Sequence, residues 1–238
     1  MEAANFMWLL MEIPDWVPFV AGAVVLIGII VGISAWFAKK RTQALTAVSL
    51  EIGFLFVGHD WKTVQQAPAL QTELFNKGHS KRFRNIMTGS VAGMRANLFD
   101  YAFTVGGGRS SHTYNQTVGA YCKSGVNLPS FSLRPQGMMH KLWDAVVHKD
   151  ITFDSNPEFA SRYVLRGPES ERIRILFTPS LMSYLQGLNP EKKWQLEGMG
   201  DTLLVYRGGK KANPGDFRAF LGETSTIAGQ FFSLGNWK

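Results

Sequence analysis

The chain of 238 residues is poor in the residues from which most chemical sites are built. It has one cysteine, Cys122, and a single thiol closes no internal bridge, which excludes a disulfide scaffold. Its five histidines, His59, His79, His112, His140 and His148, include no His-x-His or His-x-x-x-His pair. A metal needs three or four converging ligands, so neither a metal nor a cofactor is expected. Charged residues make up 18% of the chain, below the soluble average of about 25%. Lysine and arginine are missing from the first 38 residues, where Glu2, Glu12 and Asp15 carry the only charges. Internal repeats and low-complexity linkers are lacking too. With 13% aromatic residues, large-scale disorder is excluded as well.

What is present is concentrated. Trp16 to Ala38 reads WVPFVAGAVVLIGIIVGISAWFA, 23 residues without a charge. As a helix this stretch covers a hydrocarbon core of about 30 Å. Trp16 and Trp36 stand near its ends, where indole favours the interface, and Pro14 and Pro18 precede or open it. A cleaved signal peptide would need a basic leader, a shorter apolar core and a small-residue exit, and this segment has none of them. The reading is an uncleaved transmembrane helix over 16–38. Lys39, Lys40 and Arg41 follow directly, so the positive-inside rule puts the N-terminus outside and the rest in the cytoplasm of a bacterial inner membrane. Residues 1–15 form an interfacial segment whose Phe6, Trp8 and Leu9 offer contacts to a neighbouring protein. Gly22, Gly28 and Gly32 give the span small-residue faces for helix packing, although glycine is common in membrane helices anyway.

Beyond the span lie 25 cations against 15 acids. Residues 39–80 read as a helical neck that ends in a β-favouring run, Ile52 to Val57, and a helix from about Pro68 to Asn76 closed by Gly78. Residues 81–238 read as one α+β domain with a mixed, mainly antiparallel sheet and short helices. A strand is expected near Arg84 to Thr88, then a hairpin of 94–105 and 113–123 joined by the glycine-rich turn 106–112. On the first of these strands Phe99, Tyr101 and Phe103 alternate onto one side. They are expected to meet the C-terminal helix through Phe217, Phe220, Leu221 and Ile227. A short helix is expected at 135–146 and a short strand at Arg172 to Leu176. Thr178 and Pro179 then open a helix that Gly187 ends, and 194–209 reads as a second hairpin.

Several of these segments resemble the soluble part of uncharacterised bacterial membrane proteins with one N-terminal span. The shared features are Phe99-Asp100-Tyr101, Gly106-Gly107-Gly108, Leu128-Pro129 with Leu133-Arg134-Pro135, Phe177-Thr178-Pro179, and Leu203 to Arg207. The resemblance covers residues 85–238 and implies a tethered cytoplasmic α+β domain. It implies no activity, and no catalytic or ligand residues carry over.

No motif speaks for catalysis. The run from Gly106 to Ser111 lacks the Lys-Ser/Thr ending of a phosphate loop and leads into a strand rather than a helix. Ser110, Ser111, His112 and Asp100 could be assembled on paper into a triad, but no Gly-x-Ser-x-Gly elbow accompanies them. Asp150, Asp154 and Glu158 cluster without a paired motif. The basic groups Lys81-Arg82-Phe83-Arg84, Lys192-Lys193 and Lys210-Lys211 are scattered, and no nucleic-acid-binding motif joins them. Lys39, Lys40 and Arg41 suit anionic headgroups. The expected function is therefore a non-catalytic accessory or structural subunit of a larger bacterial membrane complex. Its partners are bilayer lipid and the other subunits, and bioenergetic assemblies (photosynthetic reaction-centre or antenna, or respiratory) are the class expected to recruit it. The alternative is a free-standing anchored module that binds anionic lipid or a cytoplasmic protein.

Overall fold

The computed structural model describes residues 14, 16–60, 71–137 and 150–234. Two compact units result, residues 1–44 and 45–238.

In the first unit the apolar run is helical throughout, as uncharged residues without interior breakers allow. Helix α1 covers Trp16–Glu51, 36 residues, or about 54 Å. It therefore runs well past the 16–38 segment, and its last turns, from Leu45 on, belong to the second unit. Apolar side chains from Trp16 to Phe37 are exposed on every side, with Phe19 at 78%.

The second unit is built on one sheet of eight strands, every pairing antiparallel. The strands are β1 (Leu55–Gly58), β2 (His79–Val91), β3 (Met94–Val105), β4 (His112–Cys122), β5 (Leu128–Pro135), β6 (Tyr163–Arg166), β7 (Trp194–Gly200) and β8 (Thr202–Arg207). Their spatial order is β1-β2-β3-β4-β8-β7-β5-β6. The late hairpin β7–β8 is thus inserted between β4 and β5, which follow each other in sequence. Gly200 and Asp201 make its tight turn, Gly200 at φ +59°. Strand β1 lies inside the stretch read as a neck, yet it pairs with β2 at the sheet edge, so the domain takes in part of that stretch. Strand β5 holds two prolines, which the ladder tolerates because Pro129 sits where its register with β7 shifts and Pro135 ends the strand.

Among the described residues, the helices of this unit beyond the end of α1 are α2 (Glu73–Asn76), α3 (Pro157–Arg162), α4 (Ser170–Leu176), α5 (Pro179–Gln186) and α6 (Phe217–Leu234). Helix α5 starts as its sequence demands: Thr178 Oγ1 accepts the Leu181 N–H at 3.3 Å and Pro179 fills the first position. Residues 172–176, read as a strand, are helical instead. The apolar positions Ile173 and Leu176 are three apart, a spacing that fits one helix face as well as a short apolar run. The helix expected at 135–146 falls mostly outside the described residues, as does the start of the one expected at 68–76.

The sheet buries both faces. One carries Ala96, Leu98, Tyr121, Leu203 and Val205 and receives α4, α5 and α6, with Phe217, Phe220, Leu221 and Ile227 all buried there. The hydroxyls of Tyr121 and Thr224 lie 2.5 Å apart and tie α6 to β4. The other face carries Ile86, Phe99, Tyr101, Phe103, Val118, Leu204 and Tyr206, with Leu74 and Phe75 of α2 packed on it. Phe99, Tyr101 and Phe103 therefore do share one face, but it is the face turned away from the C-terminal helix. Small residues explain the choice, since Ala96 and Gly119 leave room for the Tyr121 ring on the α6 side. A Cβ at Gly119 would come within 2.9 Å of that ring.

Candidate functional site

The residues singled out on the span lie on an open surface. Cβ atoms added at Gly22, Gly28 or Gly32 would meet nothing within 4 Å. The helix offers these positions to lipid or to another helix. Trp16 and Trp36 are 62% and 56% exposed, and 20 residues of helix separate them by about 30 Å, the thickness of a hydrocarbon core. The Lys40 ammonium stands 5.2 Å from the centroid of the Trp36 ring, a cation–π contact. Lys39 and Arg41 flank it. Phe6, Trp8 and Leu9 lie outside the described residues.

A second polar arrangement was not foreseen from the sequence. On the face that bears the aromatic cluster, alternation along β5, β6 and β7 replaces apolar groups with Ser132, Arg134, Arg166, Gln195 and Glu197. Glu197 is 1% exposed. Its carboxylate accepts the Tyr206 hydroxyl at 2.6 Å and the Leu74 N–H at 2.9 Å, so it anchors α2 to the sheet. Burial pushes the Glu197 carboxyl up from the usual carboxylate range, against the pull of Lys77. Burial also lowers the Lys77 ammonium to about 8, although Glu73 lies 2.6 Å away. The Tyr206 hydroxyl is pushed well up by burial and by Glu197, and the Arg134 guanidinium is lowered by burial and by Arg166. Beside this network opens a cleft of about 260 Å³ lined by Thr72, Glu73, Ser130, Ser132 and Arg166 among others. Lys77 pairs with Glu73, and the Tyr206 hydroxyl donates to Glu197, so these acids and their partners hold one another. A single buried acid among alternating residues gives no pattern, which is why the sequence concealed it.

The groups that could be read as catalytic are not brought together. Asp100 is buried and accepts from Asn85 Nδ2 and Thr117 Oγ1, each at 2.9 Å. In the β3–β4 register it faces Thr117, whereas His112 faces Val105, five residues or about 17 Å along the strand. Of the acidic cluster, Asp150 pairs with Arg166 and Glu158 with Arg162, so these two are tied into separate ion pairs. At the glycine-rich tip, residues 108–110 form a 3-10 turn, and position 106 needs glycine both for its φ of +81° and because a Cβ there would strike the Ser110 carbonyl. Cys122 is buried, its Sγ 3.2 Å from Thr202 Oγ1. Among the described residues no three His, Cys, Asp or Glu side chains are grouped as metal ligands.

Helix α1 is long and apolar enough to cross a membrane, and it is joined to a folded α+β domain. No protein-family model matches the sequence, and no curated protein shows significant similarity to it. Among solved structures the fold is similar to that of the mycobacterial trehalose monomycolate transport factor A, TtfA. The match has a TM-score of 0.57 and 13% identity, and covers 82% of this chain and 93% of that one. At that identity the likeness establishes the fold alone.

Proposed function

We propose that this protein is a non-catalytic accessory subunit of a bacterial membrane assembly, held in the inner membrane by α1, with the N-terminus outside and the domain in the cytoplasm. The observation that carries the reading is the uniformly apolar, uncovered surface of α1 from Trp16 to Phe37, followed at once by Lys39, Lys40 and Arg41. Transport machinery is the class of assembly favoured by the name of the similar structure, a transport factor. The bioenergetic assemblies expected from the sequence have no observation on their side and are set aside.

Helix association in lipid gains from close backbone packing. A bulky residue at Gly28 or Gly32 should release the protein from its assembly in mild detergent while the domain stays folded. Charge removal at Lys192 and Lys193 should not, since Lys192 is engaged with Glu223 within the domain. Co-purification followed by mass spectrometry of the retained partners reads both. Retention of the glycine variant with loss of the lysine variant would move the attachment to the domain. Orientation is checked separately with a reporter active only in the periplasm, fused after Lys238, which should stay silent.

A further inference from the structure

We infer that the domain carries a built-in docking patch for an anionic membrane surface, formed by Arg82, Arg84 and Lys211 across β2, β3 and the segment after β8. In register, Arg82 lies opposite Ala102 and Arg84 opposite Asp100, while Asn115 of β4 lies on the far side of Ala102. Two residues apart on one strand, the two arginines point to the same face. Lys211 closes the third side of a shallow cleft of about 100 Å³. Arg82, Arg84, Asn115 and Lys211 are all exposed. Among the described residues neither arginine side chain has an ion-pair or hydrogen-bond partner, unlike Arg162, Arg166 and Arg172, which all have acids. The one acid in the cleft, Asp100, is 4% exposed and already accepts from Asn85 and Thr117. Two guanidinium forks are thus left facing solvent, a donor set that matches phosphate oxygens.

Charge complementarity selects the occupant. The protein is anchored by α1, so lipid headgroups surround it at high effective concentration, and a leaflet bearing anionic lipid attracts each nearby arginine by about fivefold in binding. The physiological role rests on the cytoplasmic placement proposed above, because that leaflet is the anionic one.

The test uses the full chain in lipid nanodiscs, with Asn115→Cys carrying a small fluorophore; Cys122 is buried and stays unlabelled. A fixed fraction of lipid bears a nitroxide quencher on its headgroup. Phosphatidylglycerol nanodiscs should quench the fluorophore more than phosphatidylcholine ones, and added salt should remove the difference. The pair Arg82→Gln and Arg84→Gln should remove it as well, with an unchanged circular dichroism spectrum. Equal quenching in both lipids, or a double variant that behaves like the parent, overturns the inference. A response to inorganic phosphate without any effect of phosphatidylglycerol also overturns it, by making the cleft a free-anion site. Nanodiscs expose both leaflets, so this result does not depend on topology, which the periplasmic reporter tests alone.

Discussion

The two faces of the sheet are both buried, but by different means. On the α6 side, three helices lay apolar side chains on apolar strands, and Phe231 lies within ring contact of Phe131 and Phe177. On the other side the described cover is the single turn of α2. Phe75 of that turn sits among Phe83, Phe99 and Tyr101, with centroids 4.9–6.2 Å away, and its neighbour Leu74 is held through Glu197. The first face is sealed by area, whereas the second is closed by a plug and a buried carboxylate. A face closed by few residues depends more on each polar contact, because a buried group that loses its partner costs about 1–3 kcal/mol.

The largest expected effect is on the sealed face. Phe231→Ala should cost about 3–5 kcal/mol, since Phe231 is fully buried and packs on the rings of Phe131 from β5 and Phe177 just after α4. Phe103→Ala should fall at the lower end of that range, because one of its two stacked partners, Tyr114, is only partly buried. Urea denaturation of the full chain in detergent ranks the two, and a reversed order would break the comparison. Tyr121→Phe removes the hydroxyl pair that ties α6 to β4 and should cost about 1 kcal/mol.

The plugged face should respond to pH instead. The Glu197 carboxyl is raised in the folded state above its ordinary 4.5, so folding there binds a proton that the unfolded chain has released. Its contribution is fullest below that ordinary value and is lost as pH rises through the raised one. Glu197→Gln removes this dependence, so the variant should gain on the parent as pH rises above the ordinary 4.5. Lys77 works in the opposite sense at higher pH. Its ammonium is lowered to about 8, so stability should recover as pH climbs from there toward its ordinary 10.5. Melting temperatures of the parent and the Gln variant across this range check both signs, and parallel curves in the acid limb would remove Glu197 from the account.

Much of the fold could be read from local pattern. The span, the β3–β4 hairpin, the Thr178 cap and the β7–β8 hairpin all rest on interactions within about a dozen residues, where periodicity and turn chemistry act directly. The failures share a cause. Residues 172–176 are too short for period alone to separate helix from strand, and Leu128 to Pro135 hides a strand behind two prolines. The unforeseen network at Glu197 joins β7, β8 and α2, and its Leu74 contact spans 123 residues of chain. The basic groups were visible as sequence, but not which of them share a cleft.

What the sequence determined by itself is the long apolar helix. An uncharged run of 23 residues flanked by tryptophan and closed by three cations satisfies its backbone groups within its own turns, whatever the rest of the chain does. Alternation also determined that Phe99, Tyr101 and Phe103 lie together. It did not decide which way they face, because a period of two fixes partners on a strand and leaves the choice of side to whatever packs against it. That choice fell to tertiary structure: α6 took the side where Ala96 and Gly119 leave space, and α2 covered the other. The same assembly inserted β7–β8 between β4 and β5 and set Arg82, Arg84 and Lys211 around one cleft, since strand order is settled by contacts that no local stretch contains.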